Sequence, residues 1–147
     1  TDAITTLEMA VELNRKNAKA HEKLALAYSS KGAYELADKS FRRSLKLEES
    51  PETHNNYGLM LLYQGQYLGA IEHFEAAVSD LTYRNTALAL NNLGYTYFLK
   101  GDLKSAEFYL RDAVNRAPNL CLARKNLGEV LKAATKYGDS INQFQDL

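Results

Sequence analysis

The side chains in this chain that could carry chemistry are three histidines, one cysteine and a set of asparagines that return at a fixed interval. His21, His54 and His73 are not spaced as a metal-ligand set, and His21 and His54 simply occupy one register position a period apart. Cys121 could act as a nucleophile, but at the start of an amphipathic helix the simpler reading is a small buried residue. There is no phosphate loop and no nucleophile elbow; Gly128 and Gly138 read as helix packing and a turn. The expectation is a non-enzyme, with no catalytic residue, no metal and no cofactor. What recurs is amide: Asn56, Asn92 and Asn126 share one register, with Lys23 in the corresponding earlier place. A primary amide both donates and accepts, so a ladder of them can engage an extended peptide backbone without selecting its side chains. A solvated polar position on a helix surface is the competing reading.

The elements that must position these residues are clearest between Asn91 and Pro118. Leu93 and Tyr97 share one face of a first helix, and Leu103, Ala106, Leu110 and Ala113 keep a three-to-four spacing along a second. Gly101 can close the first helix in the left-handed conformation, Asp102 can cap the next, and Pro118 cannot continue it. The same columns recur along the chain. A small residue recurs at Ala25, Gly58, Gly94 and Gly128, at intervals of 33, 36 and 34 residues. The turn position reads Gly32, Gly65, Gly101 and Thr135; a second small position reads Ala37, Ala70, Ala106 and Ser140, each followed by Phe41, Phe74, Leu110 and Phe144.

This unit resembles the tetratricopeptide repeat, which implies an all-α, right-handed superhelical solenoid of antiparallel helix pairs forming a single domain. Residues 1–17 then read as the second helix of a truncated repeat, 18–50, 51–86 and 87–120 as full repeats, and 121–147 as a last, shortened one. His21, His54, Leu90 and Arg124 stand where the repeat usually has Trp. The longer connection through Ser79–Arg84 could extend the second helix and anchor Tyr83 against the stack.

Composition sets the outer bounds. Of 147 residues, 46% are hydrophobic and 24% charged, as in a folded globular chain. Eighteen basic side chains balance eighteen acidic ones, which argues against nucleic acid as the main partner. No apolar run suggests a membrane span. The single cysteine excludes an internal disulfide and leaves the compartment open. Starting at Thr1 and stopping within a helical pattern, the chain reads as a fragment of a longer protein.

A solenoid of helix pairs presents its first helices on the concave side, with the second, fifth, sixth, ninth, twelfth and thirteenth repeat positions facing the groove. These positions supply Leu59, Leu62 and Tyr63, then Tyr95, Phe98 and Leu99, with Leu88 and Leu122 nearby. Together with Asn56, Asn92 and Asn126 they form the expected partner-binding set. An apolar strip between polar ends such as Lys19, Lys23, Glu129 and Lys132 usually marks a partner site; a covering terminal helix, or partial burial in the core, is the competing reading. The carboxylate clamp of chaperone-binding repeat domains needs cations where this chain has Leu88 and Asn92, or Leu122 and Asn126, so a chaperone tail is not the expected ligand.

The run NNYGLMLLYQGQYLGAIEHFEAAVSDLTYRNTALALNNLGYTYFLKGDLKSAEFYLRDAV and the later APNLCLARKNLG resemble the repeat lipoproteins that act as pilotins in type IV pilus biogenesis, although Arg84 replaces a proline common there. The resemblance implies a lipid anchor outside this chain, the periplasmic face of the outer membrane, and a secretin subunit as partner. It also implies that Cys121 could pair with a cysteine elsewhere in the protein. An asparagine ladder also resembles the superhelix of the O-linked N-acetylglucosamine transferase, implying a substrate-selecting or regulatory arm of a larger enzyme, with a cytoplasmic location as the alternative. A scaffold that self-associates through its second helices or its open end is a third reading.

Overall fold

A computed structural model describes residues 2–145, with side chains described through residue 138 and at Ile141. Among the described residues the order is α1 (Ala3–Leu13), α2 (Ala18–Ser30), α3 (Tyr34–Leu47), α4 (Pro51–Tyr63), α5 (Tyr67–Ser79), α6 (Thr86–Lys100), α7 (Leu103–Arg116) and α8 (Cys121–Gln145). The helix starts follow local chemistry. The side chains of Asn17, Ser50 and Asp102 accept from the amides of Ala20, Thr53 and Ser105, and Pro51 opens α4, where its missing N–H costs nothing. The turns within the pairs share one design. Gly32, Gly65 and Gly101 take φ of 75°, 72° and 92°, and the amide after each glycine donates to the carbonyl five residues earlier, at Tyr28, Leu61 and Tyr97.

The helices stack as a right-handed superhelical solenoid. The backbones of α2, α4, α6 and α8 each approach that of the next inner helix, whereas the backbones of α3, α5 and α7 stay farther apart. The first helices of the pairs therefore line the tighter, concave side, and the second helices splay along the convex side. Packing is serial. Ala25, Ala37, Phe41, Tyr57, Ala70, Phe74 and Leu93 form one cluster; Leu90, Ala113 and Ala123 a second; Ala106, Leu110 and Val130 a third.

Close approach explains the glycines of the small-residue column. A Cβ at Gly58 would lie 2.7 Å from the Phe74 ring, and one at Gly94 2.7 Å from Leu110 Cγ and 3.1 Å from the Ala106 carbonyl. Gly128, expected to pack in the same way, has nothing within 4 Å of its Cβ position. The reason lies further along α8. No turn forms at Thr135, and α8 runs unbroken through Gly138, also expected in a turn. A β-branched residue cannot supply the left-handed conformation that glycine gives the other three turns. The side chains of Ser140 and Phe144, assigned by register to a returning helix, lie outside the described residues.

The long connection also differs from expectation. Helix α5 ends at Ser79, and the added residues form a capped turn: the Thr82 amide and hydroxyl both donate to Asp80 Oδ1, at 2.8 and 2.6 Å. Tyr83 is half-buried, and that burial, reinforced by the charge of Glu52, raises its phenol above the ordinary range.

The contrast between the two glycine environments is measurable. Gly94→Ala should lower stability by about 1–3 kcal/mol through overpacking, while Gly128→Ala should raise it by about 0.5–1 kcal/mol through helix propensity alone; urea unfolding of both variants checks the pair.

Candidate functional site

The inner face is built from two kinds of residue, and the structure separates them. The asparagines are the first kind. Asn126 Nδ2 on α8 donates to Asn91 Oδ1 on α6 at 2.9 Å. Asn91 Nδ2 lies 3.3 Å from Asn92 Oδ1, and Asn92 Nδ2 donates to Asn55 Oδ1 on α4 at 3.0 Å. Next along the face, Asn56 Nδ2 donates to Glu22 Oε1 on α2 at 2.9 Å. The Lys19 ammonium sits between two carboxylates, 2.5 Å from Glu22 and 3.3 Å from Glu52. The hydrogen bond Lys19 donates to Glu22, partly offset by desolvation, leaves the Lys19 pKa above its usual value. A polar seam thus connects all four inner helices.

This placement revises the expected ladder. Asn92 and Asn126 are buried, at 7% and 9% exposure, and their amides are engaged by neighbouring helices instead of lining an open groove. Asn56 is partly exposed but committed to Glu22. The physical cause is distance: successive inner helices come close enough for one amide to reach the next, and a buried amide is costly unless paired. Asn55 and Asn91, at the fifth repeat position, complete the seam. The fifth position faces the groove in the repeat pattern, and the recurrence of amides at adjacent positions is the sequence signal for pairing. Glu22, at 2% exposure, is the seam's one buried charge and stands at the same fifth repeat position as Asn55 and Asn91.

The apolar residues are the second kind. Tyr63 is 82% exposed and Leu99, at the same repeat position one helix later, 41%. Leu88 and Leu122 form a second exposed pair, at 36% and 47%. Leu59 and Leu62 divide their surface between the inner face and the core around Tyr57, and Phe98 does the same with the cluster of Ala106, Leu110 and Val130. Tyr95 and Phe98 are brought together, ring centroids 6.3 Å apart. Leu26, exposed at the ninth repeat position, continues the row of Leu59 and Tyr95 onto α2 and belongs with the set, though it was not singled out.

The strip is a surface and not an enclosed cavity. Clefts away from it include one between α3 and α4 lined by Tyr34, Asp38, Met60 and Gln64 and another lined by Glu49, His54 and Asp80. Among the described residues no three His, Cys, Asp or Glu side chains are grouped to hold a metal ion, and no helix is long and apolar enough to cross a membrane. Cys121, expected to be buried, is exposed, because it starts α8 beyond the end of α7; its thiol lies 3.6 Å from the Asn119 carbonyl. What the inner face offers chemically is apolar contact between polar ends.

Comparison with known proteins points the same way. Sequence models of the tetratricopeptide repeat match residues 49–119 and 18–51. The type IV pilus assembly protein PilF of Pseudomonas aeruginosa is 25% identical over 142 residues, covering 96% of this chain and 56% of that protein. The solved structure of PilF superposes with a TM-score of 0.83 at 23% identity, covering 95% of this chain and 63% of that one. PilW, a widely conserved type IV pilus biogenesis factor, superposes with a TM-score of 0.82 at 28% identity, over 96% and 65%. YrrB, a repeat protein described as having an unusual peptide-binding site, shares the fold with a TM-score of 0.75 at 23% identity, covering 98% of this chain and 72% of its own. The chain thus spans less than two thirds of the length of its pilus-related counterparts.

If the seam sets the stacking of the inner helices, Asn92→Ala and Asn126→Ala should each cost about 1–3 kcal/mol by leaving buried partners unsatisfied. Chemical denaturation measures this, and a double-mutant cycle of Asn92 with Asn55 should show coupling of at least about 0.5 kcal/mol.

Proposed function

The chain belongs to the tetratricopeptide repeat family, and we propose that it is a non-catalytic adaptor whose concave face docks a peptide or helix of a protein partner. One observation carries the reading: exposed apolar side chains recur at equal positions on successive inner helices, Tyr63 with Leu99 and Leu88 with Leu122. Apolar surface exposed in this way is unfavourable in water, and covering it with a partner is favourable. Phe98, Leu59 and Leu62 form its floor, packed on the core beneath, and Tyr95 lies against Phe98. In this reading Asn56, Asn92 and Asn126 contribute by fixing the helices that carry the strip.

The relation to PilF and PilW supports a role in type IV pilus biogenesis. Within it, the proposed partner is an outer-membrane secretin subunit and the proposed setting the periplasmic face of the outer membrane, with a lipid anchor supplied outside this chain. The comparison with a transferase superhelix rested on an open asparagine ladder, and those amides are occupied internally. The regulatory-arm reading therefore loses the feature that motivated it.

The test replaces only exposed residues. Tyr63→Asp combined with Leu99→Asp should weaken binding to purified, detergent-solubilised secretin subunit by about thirty-fold or more, the scale of losing apolar anchors at an interface centre. The fold, followed by circular dichroism, should be retained. Unchanged affinity in a folded double variant would remove the groove as the docking site, while a wild-type chain that does not bind secretin would remove the partner assignment.

A further inference from the structure

Outside the docking face, one cluster of titratable side chains has no part in the proposed function. His54 on α4 and His73 on α5 meet through their Nδ1 atoms, 2.8 Å apart, and His54 Nε2 lies 2.8 Å from Glu49 Oε2 in the α3–α4 connection. The His73 ring packs on Tyr57 with centroids 4.2 Å apart, and Tyr57 stacks on Phe41 at 5.0 Å. The Tyr57 hydroxyl donates to Asp38 on α3, which also accepts from Arg42 Nε at 2.8 Å. The charged and titratable groups around the pair are therefore Glu49 from the connection, Asp38 and Arg42 from α3, Tyr57 from α4, and Glu72 beside His73 on α5.

The protons on this pair can be counted. A carboxylate only accepts, so His54 Nε2 carries hydrogen. With both rings neutral, His54 Nδ1 is then bare and His73 donates its Nδ1–H to it. One added proton is accommodated by reversing that bond: a His54 imidazolium donates from Nδ1 to His73 and from Nε2 to Glu49, whose charge balances it. A second added proton is not accommodated. Both Nδ1 atoms then carry hydrogen and face each other with no acceptor between them.

We propose that His54 and His73 form an acid-sensitive latch between α4 and α5, closed while the pair holds at most one added proton and opened when both rings are protonated. Helix α4 carries Leu59, Leu62 and Tyr63 toward the inner face, so opening the latch loosens a helix that presents the docking strip. Burial of His73, with the neighbouring His54 charge adding to it, holds its pKa below the ordinary histidine value. The native state thus binds fewer protons than the unfolded chain as pH falls through that ordinary value. The latch contributes in full above about pH 7 and is lost progressively below about pH 6.5.

The test follows unfolding of the full chain between about pH 7.5 and pH 5, where most carboxylates stay ionised. Over that range the wild-type midpoint should fall by about 3–6 °C more than that of His73→Phe, which keeps the ring packing and removes the titration. His21→Gln should keep the wild-type slope. Independently of any variant, nitrogen-resolved NMR of the wild-type chain near neutral pH should show an Nδ1-bound proton coupled to both rings, lost on acidification. A wild-type slope that survives in His73→Phe, or the absence of that shared proton, would overturn the latch.

Discussion

Successive inner helices are joined by hydrogen bonds between side chains, and the rest of the arrangement depends on that seam. Apolar contacts between stacked helices tolerate sliding, because attraction falls off gently and any apolar neighbour serves. An amide does not, because a buried donor displaced by one residue loses its partner and costs more than the bond contributed. Asn126 to Asn91, Asn92 to Asn55 and Asn56 to Glu22 each tie one inner helix to its predecessor, and Lys19 closes the series between Glu22 and Glu52. The register of α2, α4, α6 and α8 is therefore set by a polar chain. Rows such as Leu26, Leu59 and Tyr95 line up because the amides beside them do.

The outer layer obeys a different constraint. There the helices of a pair approach closely because Gly58 and Gly94 offer no side chain, and Phe74 and Leu110 fill the space released. Where no returning helix forms among the described residues, the same column has no close neighbour, as at Gly128. The core is divided among three clusters, none linked to all pairs, so each pair is stabilised mainly by its neighbours.

Much of this was legible in the residues. The columns of Ala37, Ala70 and Ala106 and of Phe41, Phe74 and Leu110 are entirely buried, because periodicity reports which face a residue occupies. Periodicity does not report what lies opposite. Asn92 was recognised as part of a recurring register, yet its partner stands 37 residues away on another helix, beyond anything a repeat pattern specifies. The His54–His73 bond was hidden for the same reason, since only one of the two histidines belongs to a repeating column. Thr135 failed as a turn because three glycines established a position that a fourth, different residue type could not fill.

The two constraints together decide what the inner face can recognise. Since the seam uses the central amides and the buried Glu22 carboxylate, the proposed docking role leaves selection along the middle of the groove to apolar shape, with charge available at its ends from Lys23 on α2 and Glu129 and Lys132 on α8. Packed helices stand about 8–10 Å apart, so the strip from α4 to α8 spans about 20 Å. An extended segment rising about 3.3 Å per residue crosses one inner helix every third residue. A bound helix rising 1.5 Å per residue crosses one about every seventh, or two turns, and returns the same face each time. An extended strand alternates its faces at every residue, so residues three apart point to opposite sides and successive inner helices would meet opposite faces of the same ligand. For the proposed docking role, apolar side chains repeated on successive inner helices therefore match an amphipathic helix better than an extended strand.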